Sequence, residues 1–429
     1  MTTRVLEWRL LGLNHHVRYP WMSQRKYMLS LSLGEEHFLL GKQRDRSGLI
    51  CKSGEKNMST DIKVTTGTNV KNARSILEHQ IEMMWQWPER ANEVPPLMFW
   101  GAPGIGKSTF IRDLCEDYGI GFIDVRLAQR EPVDIRGLPV PRDDKQGIDW
   151  IISSEWPREG QEGVPEKGII LFDEITAADP TLQVAAYEFI LDRRLGQLYE
   201  VPKGWYIVAA GNRTSDSAVS RTMSSALANR FCHIEIRADS KSWIDWAVSK
   251  RLDHRVTAFI RFAPHLLFNM DGNRERGWPS PRTWERVAIE MEMAEARKLE
   301  PVLVHSIIEG LVGPGAGIEF IGFLQWSEQI PDVGEMLRKN ISIKIPERSD
   351  QKYAMASAIV HHIRQDQKPE ELLDGLFEIL LELSNDWAQL IHHDLTLALD
   401  ADNLDDMLTA FFEHPSHAEL ENKILLFEV

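Results

Sequence analysis

Nine consecutive residues, Gly101, Ala102, Pro103, Gly104, Ile105, Gly106, Lys107, Ser108 and Thr109, carry the strongest chemical signal in this 429-residue chain. Gly101 and Gly106 followed by Lys107 and Ser108 have the spacing of a loop that wraps a phosphate chain. Small residues let backbone N–H groups turn inward on phosphate oxygens, and a following helix adds the partial positive charge of its N-terminus. Lys107 places an ammonium at the β- and γ-phosphates, and Ser108 offers a hydroxyl to Mg2+. A second signal lies 66 positions beyond Lys107, where an apolar run ends in Asp173 and Glu174. Asp173 would hold Mg2+ through its water shell, and Glu174 would polarise an attacking water. A further apolar run ends at Asn212. That residue reads either as a turn former or as an amide that orients the lytic water or touches the γ-phosphate.

These residues need elements to position them, and the surrounding pattern supplies them. "PLMFW" before the glycines reads as a buried strand, and Phe110, Ile111 and Leu114 after them lie on one face of a helix. Further strand-like runs, "GFIDVRL", "GIILFD", "WYIVAAG" and "FCHIEI", alternate with helical stretches. This is the signature of βαβ units and a parallel sheet. Upstream, Val70, Ala73, Ile76, Leu77, Ile81, Met84 and Trp85 predict an amphipathic helix capped by Thr68 or Asn69 and stopped by Pro88. The expected fold class is therefore α/β, a P-loop NTPase parallel sheet flanked by helices; the α-helical lid and extra C-terminal helical domain expected after it come from the family resemblance given next.

In combination, "GAPGIGKS", "IILFDE" and "AAGN" resemble the Walker A, Walker B and sensor 1 motifs of the AAA+ ATPases. The chain is most similar to their MoxR-like branch with a helix-2 insertion, over roughly residues 65–340. "SSALANRF" resembles the segment that carries the arginine finger, which implies that Arg230 inserts into a neighbouring subunit's nucleotide site; Arg221 is a reserve candidate. "WPSPRTW" resembles sensor 2, which implies that Arg282 contacts the γ-phosphate. Residues 126–141 and 147–157 look like the second strand and a helix broken by a hairpin insertion, about 139–165. In relatives such an insertion projects toward the ring pore or the client; a structural hairpin is the plain alternative. Arg193 and Arg194 fall where subunit contacts are expected, although a solvated helix end explains them equally well. The resemblance further implies ATP and Mg2+ as cofactors and a homo-oligomeric ring, a hexamer. It also implies remodelling or chaperoning of a protein client, with a von Willebrand factor A-domain protein as the partner class.

Charge and composition narrow the alternatives. The net charge of −15 disfavours broad nucleic-acid binding. A DNA-associated motor or nuclease-associated NTPase is the runner-up, and a nucleotide switch with little turnover the third reading. The three cysteines, Cys51, Cys115 and Cys232, have neither disulfide-framework nor zinc-knuckle spacing. The pairs His361–His362 and His392–His393 point to different sides of a helix and build no metal site by themselves. No apolar run reaches the roughly 18 residues that span a bilayer, so a soluble, cytoplasmic protein is expected. Residues 341–429 hold 18 Asp/Glu against 6 Lys/Arg, while 1–57 hold 5 against 10. These asymmetries and the resemblance together divide the chain into a basic N-terminal extension (1–57), an α/β nucleotide domain (58–238), a helical lid (239–340) and an acidic helical domain (341–429). Met58 is the expected native start. In the acidic domain, Leu372, Leu373, Leu376, Ile379 and Leu380 form a stripe expected to face a core, and its acidic faces read as solubility.

Overall fold

The apolar runs become strands, and pairing along the chain's register turns them into one sheet. In this computed structural model, which describes residues 67–144, 146–213, 216, 223, 228–270 and 276–425, the strands are β1 Leu97–Trp100, β2 Gly121–Arg126, β5 Gly168–Asp173, β8 Trp205–Gly211 and β9 Cys232–Glu235. They are all parallel and lie in the order β2-β5-β8-β1-β9. The expectations for 1–57, for a start at Met58 and for Arg221 fall outside the described residues.

Alternation along each strand sorts side chains into two cores. On one face Leu97, Phe99, Ile169, Leu171 and Val208 pack with Leu77 and Ile81 of the helix Val70–Gln86 and with Phe110 and Leu114 of Lys107–Tyr118. On the other, Met98, Ile170, Phe172 and Ile207 pack with Leu182, Phe189 and Ile190 of the helix Pro180–Asp192 and with Trp156. Each fully buried Leu, Ile or Phe contributes roughly 1.5–3 kcal/mol. With β1 and β8 covered on both sides, the sheet is a rigid base for the loops at its C-terminal edge.

Two small ribbons decorate this unit. β3 Leu138–Pro141 and β4 Ile148–Ile151 form an antiparallel hairpin after β2, and β6 Arg194–Leu195 pairs with β7 Tyr199–Glu200.

From Ser240 onward the described chain is helical. Asp239 caps the helix Ser240–Ser249 by accepting the N–H of Ser242, and Ser280 caps Pro281–Ala296 by accepting that of Thr283. One hydrophobic core runs from Trp243 to Leu420 and includes Trp284, Phe320, Ile359, Leu376 and Leu395. Leu372, Leu373, Leu376, Ile379 and Leu380 are all buried in it. Residue 340 thus lies within a stretch whose two sides share a core. The fold class is the expected one, an α/β P-loop sheet flanked by helices with a helical C-terminal part. Among the described residues no helix is long and apolar enough to cross a membrane.

Candidate functional site

The strand order brings three strand ends together: β1 leads into the glycine loop, β8 beside it ends before Asn212, and β5 ends in Asp173. The loop's shape depends on its glycines. A Cβ on Gly101 would stand 2.7 Å from the Ile236 carbonyl oxygen, and Gly104 holds φ +81°, the left-handed region that favours glycine. Lys107 opens the helix Lys107–Tyr118, yet its side chain is buried. Its ammonium donates to the carbonyl oxygens of Gly101 (2.7 Å) and Ala102 (3.1 Å) and to Asn212 Oδ1 (3.0 Å). Burial pushes its pKa down to about 8, against the upward pull of Asp173 and Asp216.

Ser108 and Asp173 meet directly. The Ser108 hydroxyl donates to Asp173 Oδ2 at 2.5 Å, and the other carboxylate oxygen accepts the Glu174 N–H at 2.8 Å. A hydroxyl beside a buried carboxylate is a hard-oxygen pair suited to Mg2+, which keeps several waters and substrate oxygens. Glu174 is exposed and sits at φ 55°, unusual for a side chain with a Cβ. Such local strain clusters at functional positions. Thr176 fixes the neighbouring strand end: its hydroxyl accepts the Asn212 N–H at 3.1 Å.

The helical part reaches this site through the main chain. The Arg282 N–H donates to the Gly104 carbonyl oxygen at 3.1 Å, so the N-terminus of Pro281–Ala296 abuts the glycine loop and the exposed Arg282 side chain lies at its rim. Beside it is a small cavity of about 60 Å³, partly open to solvent, lined by Val70, Thr109, Phe110, Trp243, Trp246 and Arg282. Trp246 Nε1 donates to Asp113 Oδ2 at 2.8 Å, whereas the buried Trp243 Nε1 has no hydrogen-bond partner among the described residues. An apolar slot adjoining a phosphate loop has the chemistry to take a nucleobase.

Arg230 does not join this constellation. It is exposed and precedes β9, whereas the glycine loop follows β1, and the two strands run parallel with Leu97 opposite Cys232. The length of the sheet, four residues or roughly 13 Å, therefore separates them. Arg230 lies over the Tyr187 ring and lines a separate hollow with Asn92 and Asp192. Arg193 departs from its expected place at a subunit contact: it is buried and donates to the carbonyl oxygens of Pro202 (3.0 Å) and Trp205 (2.8 Å). Its φ of 53° at the helix end turns the side chain inward. Arg194 stays exposed, 3.7 Å from Glu188.

Sequence reading missed a second group. Arg213 donates to Asp216 and pairs with Glu235, tying the loop after β8 to the end of β9. No local spacing announces a pair 22 positions apart. Trp243 and Trp246, three apart in the helix Ser240–Ser249, were a legible aromatic signal.

No protein-family model and no curated protein sequence matches the chain. Among solved structures it is similar to two variants of RuvB from Thermotoga maritima. One is 14% identical with TM-score 0.32, covering 67% of this chain and 82% of that one; the other is 16% identical with TM-score 0.34, covering 72% and 88%. It is also similar to the AAA domain of FIGL-1, solved in complex with ADP: 15% identity, TM-score 0.32, 60% of this chain and 82% of that one. At such scores these likenesses carry no weight on activity, and what the site can do rests on its own residues.

Proposed function

We propose that this chain is an ATP-hydrolysing AAA+ ATPase of the MoxR-like type that works as a hexameric ring and remodels a protein partner. The observation that carries the reading is the convergence of Lys107, Asn212 and the Ser108–Asp173 pair on one edge of the parallel sheet. ATP lies with its base between Val70 and the Trp243–Trp246 helix and its phosphates in the Gly101–Thr109 loop. The Lys107 ammonium moves from the loop carbonyls to the β/γ-phosphate oxygens. Ser108 and Asp173 would hold Mg2+, whose charge neutralises the phosphate oxygens. Glu174 orients and polarises the attacking water, and Asn212, released from Lys107, contacts the γ-phosphate. Arg282 senses the same phosphate from the lid.

Arg230, a sheet's length from its own site, acts on a neighbour's nucleotide, which makes the ring part of the catalyst. Nucleotide state then sets the positions of lid and hairpin, and the partner responds; a von Willebrand factor A-domain protein is the partner class that the family resemblance implies.

The test is ATPase rate against protein concentration with assembly mass followed in parallel. Specific activity should climb as rings form, and Glu174→Gln should lower it about 100-fold or more with ATP still bound. Arg230→Ala and Lys107→Ala, each inactive, should recover part of the activity when mixed, since one keeps an intact site and the other the finger. A concentration-independent rate from a monomer would overturn the assignment of Arg230.

A further inference from the structure

Arg213 bonds two carboxylates that belong to different parts of the sheet. It follows Asn212 directly, and its own N–H donates to Asp216 Oδ2 at 2.8 Å. Its guanidinium meets the same carboxylate through Nε, at 3.0 and 3.1 Å, and through Nη2 at 2.9 Å. Asp216 is buried, so this pair closes the turn after β8 on itself. The remaining nitrogen, Nη1, donates to Oε1 of Glu235, the last residue of β9.

β8 and β9 are not neighbours. The register sets Trp100 opposite Gly211 on one side and opposite Glu235 on the other, so the two strand ends stand two spacings apart, roughly 10 Å. The Arg213–Glu235 bridge therefore crosses the end of β1, where the chain turns into the glycine loop. The backbone joins the same three ends: the Gly101 N–H donates to the Gly211 carbonyl oxygen at 3.2 Å, and the Ile236 N–H to that of Trp100 at 2.7 Å. Arg213 and Asp216 also reach Lys107 electrostatically, Asp216 raising and Arg213 lowering the pKa of its ammonium.

Past Glu235 the chain leads to the other end of the proposed nucleotide site. The Glu235 carbonyl oxygen accepts the Thr68 N–H at 2.7 Å, two residues before Val70. Ala238 and Asp239 line the apolar slot together with Val70, and Asp239 caps Ser240–Ser249. One bridge thus connects the amide assigned to the γ-phosphate with the segment that lines the slot and opens the helical part. As a stabilising contact it is weak, because its side chains are 32% and 31% exposed and ion pairs that open to water add little to stability. Its placement sets it apart.

We propose that Arg213 is a positioning residue: held by Asp216, it uses Glu235 to fix Asn212 at the γ-phosphate, so that the chain tells ATP from ADP. The proposal rests on the ATPase reading and adds to it a residue that touches neither phosphate nor metal. Without the Glu235 arm the turn keeps its closure by Asp216 but loses its tie to β9. The γ-phosphate contact then weakens, while the backbone cradle around the inner phosphates stays.

The test titrates the full chain with ADP and with the non-hydrolysable analogue AMP-PNP, and follows ATP turnover in parallel. Glu235→Gln keeps the size of the side chain and leaves the Arg213–Asp216 pair in place. It should weaken AMP-PNP about fivefold or more, leave ADP within about twofold, and lower kcat more than it raises KM. Glu235→Asp, which keeps the charge, should recover part of the discrimination. Arg213→Gln strips buried Asp216 of its cation and so decides less by itself. In its background Glu235→Gln should add nothing, because each residue acts through the other. Equal weakening of both nucleotides by Glu235→Gln, or additive losses in the double variant, would overturn the proposal and leave the bridge a plain ion pair. The ATPase reading fails separately: a chain that binds both nucleotides and loses discrimination in Glu235→Gln, yet never turns ATP over, keeps Arg213 and loses the enzyme. A chain that binds neither nucleotide overturns both.

Discussion

The helical part and the phosphate loop both bury charge, but they settle it differently. In the helical part each buried ion has a counter-ion. Asp402 accepts from Arg364 Nε (2.8 Å) and Nη2 (2.6 Å) and from Arg251 (2.7 Å), and Arg364 also donates to the Val248 carbonyl oxygen. Against the push of burial, these bonds hold the Asp402 carboxyl below its ordinary range. Arg261 and Asp394 also pair at 2.7 Å, although there burial outweighs the guanidinium and pushes the Asp394 carboxyl up. At the loop, Lys107 is just as buried, yet the oxygens it touches are two carbonyls and an amide. Three neutral oxygens replace a water shell, and Asp173 and Asp216, which do not bond the ammonium, offset its charge only in part. Matched burial is a way of building a fold; a buried cation bonded to no carboxylate stores affinity for an anion.

The comparison breaks first, and hardest, in the helical part. Asp402→Asn keeps the shape but leaves the Arg364 guanidinium without its carboxylate, which should cost about 3–5 kcal/mol of unfolding free energy. Denaturant titration checks this, and a loss under about 1 kcal/mol would mean that Arg251, Arg364 and Asp402 are a surface network after all.

The corresponding change at the loop has the opposite sign on stability. Lys107→Met removes a charge whose burial outweighs the pull of Asp173 and Asp216, so the nucleotide-free protein should be unchanged or more stable by up to about 2 kcal/mol, while ATP affinity falls about 100-fold. Denaturation and nucleotide titration on the same variant decide it. Destabilisation as large as that of Asp402→Asn would mean that the three oxygens already satisfy the cation.

The same contrast explains how far the sequence could be read. Phosphate binding needs neighbours along the chain, so Gly101–Thr109 and the strand-plus-carboxylate at Asp173 were visible as spacing. The strands of the sheet were visible as apolar runs. Pairing between distant segments was not visible. Arg213 with Glu235, Arg364 with Asp402 and the inward turn of Arg193 each depend on which elements become neighbours. The stripe at Leu372–Leu380 announced a core but could not say that residues before 340 would share it.

The finest discrimination comes from pH, because Lys107 should drive stability and affinity in opposite directions. Its ordinary pKa of 10.5 applies to the unfolded chain, and burial lowers it to about 8 in the folded one. Below pH 8 both states hold the proton and the burial cost is present in full. Between about 8 and 10.5 the folded chain binds fewer protons than the unfolded, so the contribution of Lys107 to stability rises with pH. ATP binding requires the ammonium, and the phosphates hold its proton in the complex, so affinity should fall by up to about tenfold per pH unit above 8. Nucleotide titrations at several values across that window, with Lys107→Met as the reference for every other titrating group, isolate the effect. A falling affinity that disappears in the reference places the proton on Lys107. An affinity as flat as the reference would mean that two carbonyls and the Asn212 amide solvate the ammonium as well as water does, and the loop would then differ from the helical part in partners alone, not in stored affinity.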